Sequence, residues 1–245
     1  MDFCKKEMGR RHWMAIKKNP FADLSRFEWG LWLFSMAVVG ISSAFSAGGS
    51  LVSTLASLIG VTALIFVAKG YVLGQVLTIV FAIFYGVVSW QQKYYGEMIT
   101  YLCMTAPMAL CAVVSWLKHP YEDSREVQVH KLTKQQFILL WPCAILVTVI
   151  FYFILKALGN ASLLWSTLSI TTSFIPSYLT YYRSPYYAVG YAANDLVLIV
   201  LWSISAASDL SYLPMVACFV MFLINDLYGF INWKRMQKRQ NGENA

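Results

Sequence analysis

Charged residues are scarce in this sequence: Asp, Glu, Lys and Arg make up 13% of its 245 residues, about half the share usual in soluble proteins. Apolar residues make up 58%. A soluble domain of this length has too little interior to bury that much apolar surface. The shortage of charge therefore excludes an ordinary soluble protein and predicts an all-α integral membrane protein, with the lipid bilayer as its solvent.

Cysteine and histidine are also scarce, with five and three copies, and no CxxC pair or Cys/His cluster occurs. Cysteines within apolar runs behave as small hydrophobic side chains, and the histidines lie in charged segments away from carboxylates. The sequence has no HExxH, GxSxG or P-loop motif. It therefore predicts no enzyme, no metal site, no cofactor and no disulfide framework.

Long apolar runs are what the chain does have, and a transmembrane helix needs about 20 such residues. We predict eight spans, at Trp29–Ala47, Leu51–Ala68, Tyr71–Trp90, Met98–Leu117, Phe137–Leu158, Leu163–Tyr182, Tyr186–Ala206 and Leu210–Trp233. The segments outside them are a basic N-terminal segment (1–28), a charged loop (118–136) and a tail (234–245).

The basic residues predict which way these helices run, because Lys and Arg concentrate on the cytoplasmic side. With eight spans and both termini in the cytoplasm, 17 of the 19 Lys and Arg lie inside, and only Lys93 and Lys156 lie outside. The net charge of +7 is thus explained by basic residues that orient the helices and lie beside anionic lipid on the cytoplasmic side. No nucleic-acid partner is expected, because the basic segments lack a folded platform.

Two similar blocks indicate an internal repeat. Tyr71-Val-Leu-Gly74 resembles Tyr187-Ala-Val-Gly190, 116 residues later, and a second resemblance pairs Trp116 with Trp233. Each block is three helices long, 51–117 and 163–233, and the single helix 137–158 between them restores the direction of the chain. This arrangement is a 3+1+3 parallel-repeat bundle, with the helix 29–47 as an addition outside the repeat.

Polar side chains within the spans are informative, because they are costly in lipid unless they face a cavity or another helix. In the second block they follow helical spacing: Tyr187, Tyr191, Asn194, Leu198 and Trp202 on one helix, and Met221, Asn225, Tyr228 and Asn232 on the next. Asn194 and Asn225 each lie about 12 Å in from the cytoplasmic end. The aligned set favours a lined binding cavity, and hydrogen bonding between helices is the alternative.

Asp195 and Asp226 are interpreted as the only acidic residues well inside spans. Three roles are open to them: a proton relay, compensation of a cationic ligand, or capping of neighbouring donors. Trp90, Tyr94 and Tyr95 lie at the predicted outer mouth, as membrane anchors or as a gate.

The quoted blocks, together with Trp90-Gln91-Gln-Lys-Tyr-Tyr95-Gly96 and Asn225-Asp-Leu-Tyr228-Gly229, resemble the PnuC-type nicotinamide riboside transporters over about Leu51 to Met236. The resemblance implies facilitated diffusion of nicotinamide riboside for NAD synthesis, a fold similar to SWEET-type sugar transporters, a homotrimer and a bacterial inner membrane. It implies that Gln91, Asn194 and Asn225 contact the ligand, and that four aromatic side chains stack around its ring. These four are Trp90, Tyr191, Trp202 and Tyr228.

Other functions remain open on the sequence. Thiamine, riboflavin or a deoxynucleoside would also suit a cavity lined by amides and aromatic rings. An integral membrane enzyme would need a catalytic constellation at one membrane level, and none is found in the sequence. A structural or sensory subunit without transport activity is the third alternative.

Overall fold

The computed structural model describes residues 19–45, 51–91, 94–160 and 162–242, and within these ranges the chain folds into nine α-helices. They are α1 (Arg26–Phe45), α2 (Leu51–Ala68), α3 (Val72–Gln91), α4 (Tyr95–Thr100), α5 (Ala106–Lys118), α6 (Lys134–Ala157), α7 (Leu163–Tyr181), α8 (Tyr187–Ser208) and α9 (Leu213–Gln240). A π-helical turn, Tyr101–Thr105, joins α4 to α5, and the three form one continuous segment of 24 residues.

Seven helical segments of the described chain are long and apolar enough to cross a membrane. The predicted span at Leu163–Tyr182 is a helix, α7, but it is not among the seven. Eight of the 19 residues of α7 are Ser or Thr, which lowers its hydropathy. Their hydroxyls donate to backbone carbonyls one turn earlier, as Ser177 does to Ser173 and Thr180 to Pro176, both at 2.8 Å.

The helix bounds follow the predicted spans to within a few residues except at the end of the chain. There α9 continues to Gln240, seven residues beyond Trp233, so the predicted tail is helical over most of its length. Lys238 and Arg239 lie in its last turn, where positive charge is favourable beside the carbonyl end of a helix. The Gln240 side chain also accepts a hydrogen bond from the Val129 backbone N–H at 2.7 Å. Positions 46 and 47, predicted to end the first span, lie outside the described residues.

Six helical segments form a closed ring in the order α2, α3, α5, α7, α8, α9 and back to α2. The two remaining long helices pack outside this ring: α1 lies against α2 and α9, and α6 lies against α7. The segment 119–133 crosses one end of the ring, where the Val127 backbone N–H donates to the Gly70 carbonyl at 3.0 Å. We call this end of the bundle the loop end.

Close packing at the loop end depends on glycine. Gly70, in the turn between α2 and α3, has a φ of +68°, a conformation that glycine adopts without steric cost. A Cβ at Gly74 would lie 2.4 Å from the Val67 backbone nitrogen, and a Cβ at Gly190 would lie 2.9 Å from the Pro176 side chain. Both glycines therefore let the second helix of a block approach the first.

Two tryptophans join the blocks at the loop end. Trp116, near the end of α5, donates from Nε1 to the Thr180 carbonyl at 2.9 Å, and Trp233 of α9 donates to the Val67 carbonyl at 2.9 Å. The two indole rings lie 5.5 Å apart. The last helix of each block thus bonds to the first helix of the other.

Candidate functional site

The ring of helices encloses a cavity of about 60 Å³ near its centre. Its walls come from α2, α3, the π-helical turn, α7, α8 and α9. The polar part of the lining is Gln75, Thr78, Tyr101, Thr105, Ser173, Tyr191, Asn194, Asp195 and Asp226. A buried water needs roughly 10–15 Å³, so the cavity in this conformation has room for a few waters and is far smaller than a typical ligand pocket of about 300–1,000 Å³.

Positions that the predicted repeat pairs with one another meet in this cavity. Gln75 and Thr78 of α3 lie 116 residues before Tyr191 and Asn194 of α8, and all four side chains line it. Each pair is spaced by three residues, which keeps both of its members on one face of the helix. The cavity therefore receives polar groups from two facing helices in matching register.

Asn194 is held in place by hydroxyl groups of α7. Its Oδ1 accepts hydrogen bonds from Thr172 at 2.8 Å and from Ser173 at 2.9 Å. With Oδ1 occupied in this way, the orientation of the amide at the cavity wall is set. Tyr191 is oriented similarly, because its hydroxyl lies 3.0 Å from Ser177 Oγ.

The two aspartates predicted inside spans both line the cavity, and they are 2% and 3% exposed. Asp195 of α8 and Asp226 of α9 are neighbours at the cavity wall, close enough for their side chains to interact. None of the described residues that line the cavity is basic. Negative charge in this cavity is consequently not compensated by a basic side chain of the described lining.

Asn225 and Tyr228, predicted to contact the ligand, lie on a different face of α9, toward α1. Asn225 Nδ2 donates to Ser35 Oγ of α1 at 3.0 Å and to the Met221 carbonyl at 2.8 Å. The Tyr228 hydroxyl donates to Glu28 Oε1 at 2.8 Å. The structure therefore uses both residues to join helices, and neither lines the cavity.

Trp202, Trp90 and Gln91 are also absent from the cavity lining. Trp202 lies about 12 Å beyond Asn194 along α8, is fully buried, and donates from Nε1 to the Tyr85 hydroxyl at 2.8 Å. Trp90 is 59% exposed at the end of α3, and Gln91 is exposed beside it. The roles of these three as ligand contacts stay predictions, and they would require a different arrangement of the helices.

Two buried glutamates were missed by the sequence reasoning. Glu97 is 1% exposed and faces Ser169, so Asp195 and Asp226 are not the only acidic residues inside the bundle. It was missed because α4 begins at Tyr95, three residues before the predicted span. Glu28 is 3% exposed and pairs with Lys69 at 3.1 Å. The signal that could have found both is a lone acidic residue within one turn of a predicted span.

Among the described residues, no three His, Cys, Asp or Glu side chains gather closely enough to hold a metal ion. The chemistry that the cavity offers is hydrogen bonding from amides and hydroxyls, contact with the rings of Phe81, Tyr101 and Tyr191, and two carboxyl groups.

Comparison with known proteins adds the following findings. The family described as nicotinamide mononucleotide transporter matches residues 50–235. The nicotinamide riboside transporter PnuC of Neisseria mucosa is 26% identical over 248 residues, covering 98% of this chain and 94% of that protein. The protein of the same name from Haemophilus influenzae is 24% identical over 213 residues, covering 86% and 91%.

A solved structure is similar as well. A crystal structure of the vitamin B3 transporter PnuC superposes with a TM-score of 0.77 at 23% identity, covering 96% of this chain and 98% of that one. At that level of identity the likeness concerns the fold, an all-helical bundle of the same architecture.

Proposed function

We propose that this chain, which belongs to the nicotinamide mononucleotide transporter family, carries nicotinamide riboside across the membrane. The family and the similar proteins are named as transporters, and seven helical segments of the described chain are long and apolar enough to cross a membrane. Both similar proteins from Neisseria and Haemophilus are named for nicotinamide riboside. The observation that carries the proposal is the central cavity, because it collects polar groups from both blocks at the depth where repeat transporters bind substrate.

The chemistry of the lining suits this ligand. Nicotinamide riboside combines a flat pyridinium cation with a carboxamide and a ribose. Gln75, Thr78 and Asn194 supply amide and hydroxyl groups for the carboxamide and the sugar. The aromatic faces of Tyr101 and Tyr191 suit a flat cation. We assign Asn194 and Tyr191 as ligand contacts on this basis.

The bundle, in this proposal, is the 3+1+3 parallel repeat with α1 added outside it and eight spans in all. Support comes from the crossed hydrogen bonds of Trp116 and Trp233 and from the ring order, in which α2, α3 and α5 occupy places equivalent to α7, α8 and α9. The Ser- and Thr-rich α7 is the eighth span. Its polar side chains are tolerated because ten of its residues are buried by neighbouring helices.

Transport then requires the two blocks to move apart around the cavity, because its present volume holds only a few waters. Facilitated diffusion is the transport mode that we propose, since the sequence carries no P-loop for ATP. The proposed assembly is a homotrimer in the bacterial inner membrane with both termini in the cytoplasm. Cross-linking in native membranes and accessibility labelling at each end of the bundle would test the assembly and the orientation.

The direct test of function is ligand binding by the purified protein, followed by uptake into proteoliposomes. We expect nicotinamide riboside to bind and to equilibrate across the liposome membrane without ATP or an imposed ion gradient. Thiamine and riboflavin serve as competitors of different shape. Binding of thiamine in place of nicotinamide riboside would overturn the choice of ligand. Chemical conversion of the ligand by the purified protein would show that the protein is an enzyme and contradict the proposed transport function.

A further inference from the structure

Asp195 and Asp226 bring two carboxyl groups to the wall of the central cavity. Asp195 Oδ2 is buried and has no hydrogen-bond donor among the described residues. The pair spans two helices of the second block, α8 and α9, at the wall of the central cavity. A buried polar group without a partner is costly, so a pair left in this state is expected to meet a ligand or a proton.

Among the residues that the structure describes, no basic side chain lines the cavity beside the pair. The titratable groups that face it are Tyr101 from the π-helical turn, Tyr187 and Tyr191 from α8, and Cys218 from α9. The cavity walls from α2, α3 and α7 add only apolar residues, Gln75, Thr78 and Ser173. Glu97 lies close enough to Tyr101 to act on it electrostatically, and it is itself acidic.

Two ionised carboxylates that are buried at the wall of one small cavity repel each other strongly, because the dielectric constant there is low. A proton shared between them relieves that repulsion in the empty cavity. A ligand that brings its own positive charge relieves it as well. The proton and the cation therefore compete for the same two carboxyl groups.

We propose that the Asp195–Asp226 pair is the cation-recognition element of the cavity, and that a bound pyridinium replaces the proton shared by the two side chains. This inference rests on the proposed function, because it takes a flat organic cation as the ligand. The displaced proton passes to cavity water and from there to the solution on the side to which the cavity opens. Ligand affinity consequently increases as the pH rises, until the pair loses its proton without a ligand.

The first test needs no mutation. Titration calorimetry of the wild-type protein with nicotinamide riboside, in two buffers of different ionisation enthalpy at the same pH, measures the number of protons released. We expect about one proton per bound ligand and, by linkage, affinity that rises with pH by up to about tenfold per unit as long as the empty pair holds its proton. The uncharged reduced form, dihydronicotinamide riboside, should bind more weakly and without proton release.

The second test uses Asp195→Asn and Asp226→Asn, either of which keeps the shape of the side chain while removing one carboxyl. Each should weaken binding of the cation by about tenfold to a hundredfold, abolish proton release, and leave the affinity for the reduced form within about twofold. The matched control is Asp209→Asn, an exposed acid at the end of α8 that caps Ser211. It should bind both forms as the wild type does.

The outcomes separate the two proposals. One outcome is that nicotinamide riboside binds without releasing a proton, and that the cation and the reduced form lose affinity equally in both variants. The pair is then a structural contact, so the inference fails while the proposed function stands. If nicotinamide riboside does not bind at any pH, the proposed function fails and the inference with it. If neither variant folds, two measurements on the wild type decide whether the inference holds. These are the number of protons released and the affinity for the cation relative to the reduced form.

Discussion

Two faces of α9 use polar side chains in opposite ways. Asp226 faces the central cavity and interacts with Asp195 of α8. Asn225, its immediate neighbour, bonds to Ser35 of α1, and Tyr228 bonds to Glu28 of the same helix. Consecutive residues of a helix point about 100° apart. One face therefore lines a cavity, and the next face attaches a helix that lies outside the ring.

This difference shows that a stripe of polar residues does not by itself identify a binding site. The stripe Met221, Asn225, Tyr228 and Asn232 has regular spacing, and its members bond to α1 and to the end of α2, where Asn232 donates to the Ala68 carbonyl at 2.8 Å. Three donors of the stripe, Asn225 Nδ2, the Tyr228 hydroxyl and Asn232 Nδ2, find partners on α1 or α2, although Asn225 Oδ1 is buried without a donor among the described residues. Asp195 Oδ2 is likewise buried without a donor, but it lines a cavity together with a second carboxyl group, that of Asp226. The cavity face is therefore distinguished by two carboxyl groups at a cavity wall, and the joining face by hydrogen bonds to neighbouring helices.

The largest expected effect is a loss of stability where α1 attaches to α9. Glu28→Ala removes the partner of Lys69 and of the Tyr228 hydroxyl at a buried position. Breaking a buried ion pair costs about 3–5 kcal/mol, so we expect the midpoint of thermal unfolding in detergent to fall markedly. The control is Arg239→Ala, since Arg239 is half exposed in its pair with Glu126 and an exposed pair contributes about 1 kcal/mol or less. Equal shifts in the two variants would contradict the role of Glu28 as the attachment of α1.

The next largest effect is a loss of ligand affinity on substitution at the cavity wall. Asn194→Ala removes the amide that Thr172 and Ser173 hold at the cavity wall. We expect binding of nicotinamide riboside to weaken by about tenfold, the equivalent of one hydrogen bond. Isothermal titration calorimetry measures this change. Thr172→Val, which keeps the amide but releases one of its two hydroxyl partners, should weaken binding less, and an unchanged affinity for Asn194→Ala would place the ligand elsewhere.

A smaller loss of stability is expected on substitution of Asn225, the neighbour of the cavity residue Asp226. Asn225→Ala removes the bond to Ser35 and should lower the stability by about 1 kcal/mol, while ligand affinity stays within about twofold of the wild type. Thermal unfolding and calorimetry on the same preparation separate the two quantities. A loss of affinity without a loss of stability would show that Asn225 contacts the ligand. The two faces of α9 would then not differ in function.

The smallest effect is expected where the side chains are exposed. Trp90→Ala and Gln91→Ala should change stability by less than about 0.5 kcal/mol, because Trp90 is 59% exposed and touches mainly Tyr95. Uptake by proteoliposomes tests whether they act at the mouth during transport. Slower uptake with unchanged binding would support a gate at this end of α3.

Much of the architecture could be predicted from residue patterns. Each predicted span corresponds to a helix of the structure, because an apolar run of about 20 residues has few alternatives in lipid. The helical spacing of Tyr187, Tyr191 and Asn194 predicted a lined cavity, and Tyr191 and Asn194 do line one. Glu97 could not be placed in this way, because helix ends are set by capping and packing as much as by composition.

Composition and periodicity by themselves determined that this chain forms apolar helices, where those helices lie, and that the two blocks resemble one another. They determine this because backbone hydrogen bonding in lipid is satisfied locally, within each helix. Only the tertiary structure decided which polar face meets a cavity and which meets α1, and it brought Asp195 and Asp226 together from separate helices. That choice depends on how each helix is rotated against its neighbours, and the rotation is set by close packing between residues far apart in the sequence.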